Sequence, residues 1–470
     1  MRITIVGAGP GGYAAAFRAA RGGAQVTLVE AGRLGGTCLN RGCIPTKTLK
    51  ASAEALETIR RAEEFGVTLE GAGAIDMVKV LARKRKVVDT LRDGLAKTCA
   101  KAKVVYMAGR GTVVGKDLVR CETPEGKVVD IPSDRVIVAT GSSPAVPPSI
   151  PLDHARIMTS DDVLELDRVP ESMCIAGGGV VGAELAFIFR TFGSRVTVVE
   201  GLDRLLPLPS VDAEMSKLLQ REMKKAGIGV ELCRIIASAE VAGNCVKARL
   251  APSPFVPAES LPNSAKAETT IDAEVLVVAT GRSPNTRNMG LEDAGVALDA
   301  RGYVLADSTL ATNVPGIYAI GDALGPSRIM LAHMASFEGM AAADNCLGAE
   351  RPVSYDVVPG GIFTSPEIAD VGLTEAQARE KGHDVACPLF LFRELGKAQA
   401  MGSLPGVFKL VVDNATGRLL GAHFAGAHAT DIIAEAALAL QMGATVKDIA
   451  GTIHAHPTLA EGVFEAAMQL

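Results

Sequence analysis

The sequence predicts an α/β protein made of two homologous doubly wound domains, one inserted in the other, with a smaller α+β domain after them. Three observations predict it. A strand, glycine loop, helix and second strand open the chain, and the same pattern returns at residue 173 with the same internal spacing. Each copy is followed at a distance by a buried-type strand that ends in Ala-Thr-Gly. The last 120 residues then change texture, from parallel-sheet patterning to paired strands and an amphipathic helix.

At 470 residues the chain is long enough for several domains and a large core. It is 48% hydrophobic and 21% charged, with a net charge of −5 and no basic block, which argues against nucleic acid as a partner. There is no uncharged apolar run of about 20 residues to span a membrane. The chain passes from Met1 straight into RITIVG, with no targeting segment, so a cytoplasmic location is expected. Nine cysteines in such a length do not make a disulfide framework, and seven of them are scattered.

Along the chain, ITIV leads into Gly7-x-Gly9-x-x-Gly12, then an alanine-rich helix, then VTLV and Glu30. The first glycine allows the tight turn, the second allows backbone to approach a pyrophosphate, and the third lets helix pack on strand. Free N–H groups at the helix start suit phosphate, and a carboxylate at position 30 suits ribose hydroxyls. One such motif is weak evidence. Here it recurs as MCIAGGGVVGAELAFIFRTFGSRVTVVE, with Gly177, Gly179, Gly182 and Glu200, and both copies place the acid 18 positions after the third glycine. Two Rossmann-like (FAD/NAD(P)-binding) domains are therefore expected. RVIVATGSSP echoes EVLVVATGRSP, and the proline-rich stretch 142–151 marks the crossing between domains. Residues 251–268 read as a surface loop of the second domain. IYAI ends in Gly321-Asp322, an acid at a strand's C-terminal end. GVFKLVVDNATGRLLGAHFAG reads as two strands about a turn, and DIIAEAALALQMG as a helix closed by Gly443. The expected boundaries are 1–146 and 279–348 for the FAD domain, 147–278 for the NAD domain, and 349–470 for an interface domain.

Between the first copy and its later strands lies GGTCLNRGCIPTK, with Cys38 and Cys43 five positions apart. A structural bridge, a metal half-site and a redox pair all fit that spacing. A reducing cytosol disfavours the bridge, and no second ligand pair at zinc spacing appears. A dithiol carries two electrons, as nicotinamide does, and a flavin suits the gap between them. Cys43 lies nearer a helix start, which favours its thiolate; Cys38 lies further out, toward substrate. Lys47 shares the helix face of Cys43. Thiol exchange needs a base, and His456 with Glu461 in HAHPTLAE offers an imidazole and a carboxylate to orient it. His454 is read as structural support.

These strings, GAGPGGYAAA, GGTCLNRGCIPTKTL, IVATGSSP, GGGVVGAELA, VATGRSPN, IYAIGD, MLAH and HAHPTLAE, run nearly end to end, and in them the chain resembles the dihydrolipoyl dehydrogenase family of flavoprotein disulfide oxidoreductases. The resemblance implies Cys38 as interchange thiol and Cys43 as flavin-proximal thiol, with Lys47 paired to Glu184 near the flavin. It implies FAD held by Gly7, Gly9, Gly12, Glu30, Lys47, Gly111, Thr140, Gly141, Ser142, Asp322, Met330, Leu331, Ala332 and His333. NAD+ would be held by Gly177, Gly179, Gly182, Glu184, Glu200 and Gly281. His456 and Glu461 would serve the partner subunit's site in a homodimer. The implied reaction is ping-pong oxidation of dihydrolipoamide on a lipoyl carrier, from a 2-oxoacid dehydrogenase complex or glycine cleavage system, with electrons passing by Cys43 and FAD to NAD+. The sequence departs from the family's pattern in AGAHATD at 425–431 and in the length of the 251–268 loop.

Sibling families set the alternatives. Glutathione reductase types use NADPH, but Glu200 would repel a 2′-phosphate, with Arg204 nearby as the counter-argument. The C-terminus FEAAMQL lacks the second cysteine pair of mercuric and large thioredoxin reductases. Soluble transhydrogenases lack the Cys38–Cys43 pair. A non-enzymatic flavoprotein role is disfavoured by the intact Cys38, Cys43, His456 and Glu461.

Overall fold

Short β-branched runs at residues 2–6, 25–30 and 135–138 are apolar on both faces, as strands covered by helices on each side must be. The computed structural model, which describes residues 1–71 and 73–470, gathers them into the first of two compact units. That unit comprises Met1–Leu49, Val78–Ala145 and Arg282–Tyr355. Its parallel sheet runs, edge to edge, Ile317–Ala319, Arg135–Val138, Arg2–Val6, Gln25–Glu30 and Val105–Ala108. The helix Pro10–Arg21 starts with proline at its first turn, where the missing N–H costs nothing. It crosses the helix Ala332–Cys346 at backbone distance: a Cβ on Gly339 would lie 2.2 Å from the Gly11 carbonyl oxygen. A three-stranded antiparallel meander, Arg110–Gly115, Leu118–Glu122 and Val128–Pro132, completes the unit.

The second unit comprises Lys50–Met77, Val146–Gly281 and Asp356–Leu470. Of the stretch 349–470 expected as an interface domain, residues 356–470 lie in this unit. Its parallel sheet runs Gly229–Glu231, Arg195–Val199, Ser172–Ala176, Val275–Val278 and Ile157–Thr159. Order and direction match the first sheet, except that the outer strand Ile157–Thr159 precedes the motif in sequence whereas Ile317–Ala319 follows it. The meander is repeated as Arg234–Ala242, Cys245–Pro252 and Thr269–Ala273, with residues 253–268 joining the last two strands through short 3-10 turns.

The C-terminal part of this unit is antiparallel. Gly360–Ile362, Glu367–Gly372, Leu419–Gly426 and Val407–Asp413 lie side by side, and Val385–Ala386 and Leu389–Leu391 both pair with the last. The helix Ala429–Met442 packs on one face and ends at Gly443, whose φ of 66° is the left-handed cap a glycine accepts. Phe392, Phe408 and Phe424 are fully buried, their neighbouring ring centroids 5.5 and 5.0 Å apart. A Cβ on Gly462 would sit 2.1 Å from the Phe408 ring, so the final helix, Glu461–Ala467, rests directly on this stack. Among the described residues no helix is long and apolar enough to cross a membrane.

Candidate functional site

The two glycine loops are the same object built twice. Gly7 and Gly177 have φ of 108° and 110°, and each donates its N–H to the next strand, at Val29 and Val199, over 2.8 Å. A Cβ on Gly12 would lie 1.8 Å from the Gly7 oxygen, and one on Gly182 would lie 1.9 Å from the Gly177 oxygen. Gly9 and Gly179 are extended caps with no side chain closing the helix start. The acids repeat too. Glu30 accepts the N–H groups of Ala8 and Gly32 at 2.7 Å each; Glu200 accepts those of Gly178 and Leu202 at 2.7 and 2.8 Å. Each carboxylate is thus aimed by backbone and keeps lone pairs that can accept further hydrogen bonds.

In the first unit the cysteine segment sits on the phosphate loop. Gly35 donates to the Ala8 carbonyl at 2.9 Å, and a Cβ on Gly36 would be 2.5 Å from the Gly9 Cα. Cys38 lies in the short helix Gly36–Arg41, and Cys43 opens the helix Cys43–Arg60. Gly42 lets the chain double back between them, since a Cβ there would be 3.3 Å from the Cys38 Cα. Both cysteines are half-buried free thiols, and they are hydrogen-bonded to each other. That bond, with burial and the charge of Cys43, pushes the Cys38 thiol far up, against a smaller pull from Lys47. The reduced pair therefore holds one thiolate at most. Burial, then the nearby Cys38 and Cys43, also raise the Tyr13 phenol.

Asn40 was missed in the sequence. Its amide donates to the carbonyls of Leu34 and Gly36 at 3.0 and 2.9 Å and so locks the loop ahead of Cys38, while its Oδ1 is buried without a partner. Arg282 and Asn285 were missed as well. Arg282 Nε donates to Ser142 Oγ at 2.6 Å, and Ser142 donates to Asp322 Oδ2 at 2.5 Å. Asn285 holds the Thr140 and Gly141 carbonyls at 3.1 and 2.9 Å. The signal was present in the strings GSSP and GRSPN, which pair as the antiparallel strands Ser142–Pro144 and Arg282–Pro284.

FAD, implied for this unit, fits its residues. Thr140 Oγ1 is buried with no partner, and Gly141, at φ 67°, has nothing within 4 Å of where a Cβ would stand. The uncapped helix start beyond Gly9 offers N–H groups to phosphate. Met330 to His333 lead into the helix Ala332–Cys346, with His333 exposed. Gly111 has a packing reason instead: a Cβ there would be 2.8 Å from Val6 Cγ1.

In the second unit Glu184 is buried and accepts the Phe363 N–H at 3.0 Å, and Gly281, at φ 134°, is open around its α-carbon. Arg204 is engaged by its own loop, donating to the carbonyls of Val211 and Leu208 at 2.9 and 3.0 Å. His456 Nδ1 lies 2.7 Å from Glu461 Oε1, and Glu461 Oε2 accepts the Thr458 N–H at 2.7 Å. These bonds hold the Glu461 carboxyl below its ordinary value, the Thr458 bond first. The His456 side chain is 77% exposed, whereas that of His454 is 6% exposed, bonded to Glu435 and packed on Phe464.

Residues 1–339 match the pyridine nucleotide-disulphide oxidoreductase family, and residues 358–467 match that family's dimerisation domain. The dihydrolipoyl dehydrogenase of Chlamydia muridarum is 40% identical over 468 residues, spanning 99% of this chain and 95% of its own length. That of Bacillus subtilis is 39% identical over 477 residues, with 99% and 97% covered. The leghemoglobin reductase of Glycine max is 36% identical, with 99% and 87% covered. Among solved structures, LpdA of Mycobacterium tuberculosis aligns with a TM-score of 0.90 at 28% identity, covering 100% of this chain and 99% of that one. The HOCl-induced flavoprotein disulfide reductase RclA of Escherichia coli aligns at 0.85 and 27%, with 100% and 99% covered. Matched in both of its regions and by relatives along its whole length, the chain belongs to the pyridine nucleotide-disulphide oxidoreductase family.

Proposed function

We propose that this chain is a dihydrolipoyl dehydrogenase: a cytoplasmic homodimer that oxidises the dihydrolipoyl arm of a carrier protein and reduces NAD+. The observation that carries it is the seating of the Cys38–Cys43 segment on the first phosphate loop, which sets a dithiol against a dinucleotide site. When bound, FAD supplies the two-electron relay between dithiol and nicotinamide.

In the oxidised enzyme Cys38 and Cys43 share a disulfide. Because Glu461 holds Nδ1, the other nitrogen of His456, Nε2, is the basic one, and it takes a proton from a substrate thiol. The substrate thiolate attacks Cys38 Sγ, the Cys38–Cys43 bond breaks, and Cys43 leaves as a thiolate at the start of its helix. His456 passes its first proton to solvent and takes the proton of the second substrate thiol; that thiolate attacks the substrate sulfur of the mixed disulfide, the bond to Cys38 breaks, and the Cys38 thiolate takes the proton back from His456. Lys47 stands one turn along from Cys43, placing a cation on the thiolate's helix face; its pairing with Glu184 is part of this proposal. The exposure of His456 suits a base that acts in the partner's site.

Glu200 favours NAD+ over NADP+, and the engagement of Arg204 by Val211 and Leu208 removes the nearest candidate for a 2′-phosphate. The test is NAD+ reduction by purified protein with free dihydrolipoamide, beside NADP+ and beside NADPH-driven reduction of oxidised glutathione. Rapid NADH formation with the first pair alone supports the proposal. An FAD-loaded dimer inert to dihydrolipoamide sinks the substrate assignment.

A further inference from the structure

The two nucleotide units also differ where their meanders close. In the first, residues 123–127 join the last two strands; in the second, residues 253–268 do so. The longer connection is rooted at both ends. Ser253, 3% exposed, donates its N–H to the Cys233 carbonyl at 2.9 Å, and Arg234 reaches Thr269 Oγ1 at 2.7 Å and the Ala267 carbonyl. Ala265 is buried. Yet the loop presents Phe255 at 69% exposure, an aromatic ring that the folded unit does not use for its core.

The ring stands at a specific place. A Cβ on Gly201 would lie 3.2 Å from Phe255 Cδ2 and 3.5 Å from Ile235 Cγ2. Gly201 follows Glu200, the acid just beyond the strand Arg195–Val199, which is aimed by the N–H groups of Gly178 and Leu202. The backbone here is braced on both sides, with Glu200 N bonded to the Glu231 carbonyl at 2.8 Å and Arg234 N to the Glu200 carbonyl at 3.0 Å. So Phe255, Gly201 and Ile235 make one apolar patch beside the ribose-seeking carboxylate, on the ligand end of the parallel sheet. The residue that follows the matching acid in the first unit is Ala31, and the corresponding meander connection there is the short 123–127.

We propose that Phe255 is an adenine platform, its ring packing on the adenine of the dinucleotide whose ribose Glu200 takes. This rests on the second unit's being the NAD(H) site. An adenine has a π-face and no charge, which is what a bare aromatic ring recognises, and the Phe255 backbone is already held, its N–H donating to Ser253 Oγ at 3.2 Å, which lowers the cost of ordering on binding. The platform acts on the adenosine half of the dinucleotide and not on the nicotinamide.

The test uses the FAD-loaded full-length protein, with NADH, ADP-ribose and reduced nicotinamide mononucleotide as probes in equilibrium titrations. Phe255→Ala weakens NADH and ADP-ribose by the same factor, about five- to fiftyfold. It leaves the affinity for the mononucleotide and the melting temperature unchanged. Phe255→Trp restores both adenine-bearing ligands. Unchanged ADP-ribose affinity in Phe255→Ala, or equal weakening of the mononucleotide, overturns the platform while leaving the NAD(H) site standing. Failure of the unmutated protein to bind either NADH or ADP-ribose overturns both.

Discussion

Asp370 is a carboxyl 3% exposed, on a strand where its direct neighbour is the fully buried His423. Burial pushes it up to about 7, against a hydrogen bond with Ser210 that pulls it down. Its unfolded value is near 3.8, so the native state holds the extra proton between about pH 4 and 7, and stability falls as pH rises through that window. His423 adds no charge to meet it: burial lowers the imidazole, Nε2 donates to the Leu373 carbonyl at 3.0 Å, and Nδ1 is unpaired. Asp370→Asn is expected to unfold about 2–4 kcal/mol later than the parent at pH 8 and to match it near pH 4, read from denaturant midpoints. At the site, His456→Gln should lower kcat for dihydrolipoamide about 10²–10⁴-fold. Glu461→Gln should lower it less, because the amide still accepts from Nδ1 while offering no charge to the imidazolium. Equal losses in the two variants would contradict the orienting role of Glu461.

At the scale of elements, the repeated glycine loops make a paired prediction. Gly12 and Gly182 face the same obstacle, a carbonyl oxygen under 2 Å from where a Cβ would stand, and neither helix start can shift without breaking its turn. Gly12→Ala should yield protein that loses its flavin and more than about 2 kcal/mol of stability. Gly182→Ala should keep the yellow flavin spectrum and lose NADH binding. If both lose flavin, the division of labour between the units is wrong. Lys409, 4% exposed, ties the strand Val407–Asp413 to Asp212 at 3.3 Å and to Glu214 and Glu375 at 2.9 Å. Its hydrogen bond holds the Glu375 carboxyl down at about 2, and that gain is lost as pH falls through this value. Lys409→Met strands the buried Asp212 and is expected to cost about 3–5 kcal/mol in urea unfolding.

For the whole molecule, the predictions concern the second copy. Ile453, Met442 and Leu438 are 97%, 76% and 63% exposed in the region matched by the dimerisation domain, close in sequence to His456. Apolar side chains so placed suit burial against a symmetric partner. Ile453→Asp should shift sedimentation toward monomer and abolish turnover with flavin retained. A mixture of Cys43→Ser and His456→Gln chains, unfolded and refolded together, should regain about a quarter of the parent activity, since half the dimers are hybrids with one complete site each. No recovery would place the base in the same subunit as its cysteines.

Two nucleotide units, their glycine loops, the acids at Glu30 and Glu200 and the pair Cys38–Cys43 were legible in the residues alone. Each depends on rules acting within a few positions: a Cβ that cannot fit, a strand that alternates with a helix, two thiols within bridging reach. The partnership of His456 with Glu461 was legible for the same reason, five positions apart. Tertiary structure alone decided what lies between distant segments. Arg282 meets Ser142 across 140 positions, Ser142 meets Asp322 across 180, and Lys409 meets Asp212 across 197. Phe255 comes to Gly201 by the same route, through the closing of a meander that no local pattern encodes. Such contacts are fixed by sheet order and register, which the hydrophobic pattern constrains collectively. The polar groups they bury are then satisfied by whichever side chain the closed fold brings within hydrogen-bonding distance.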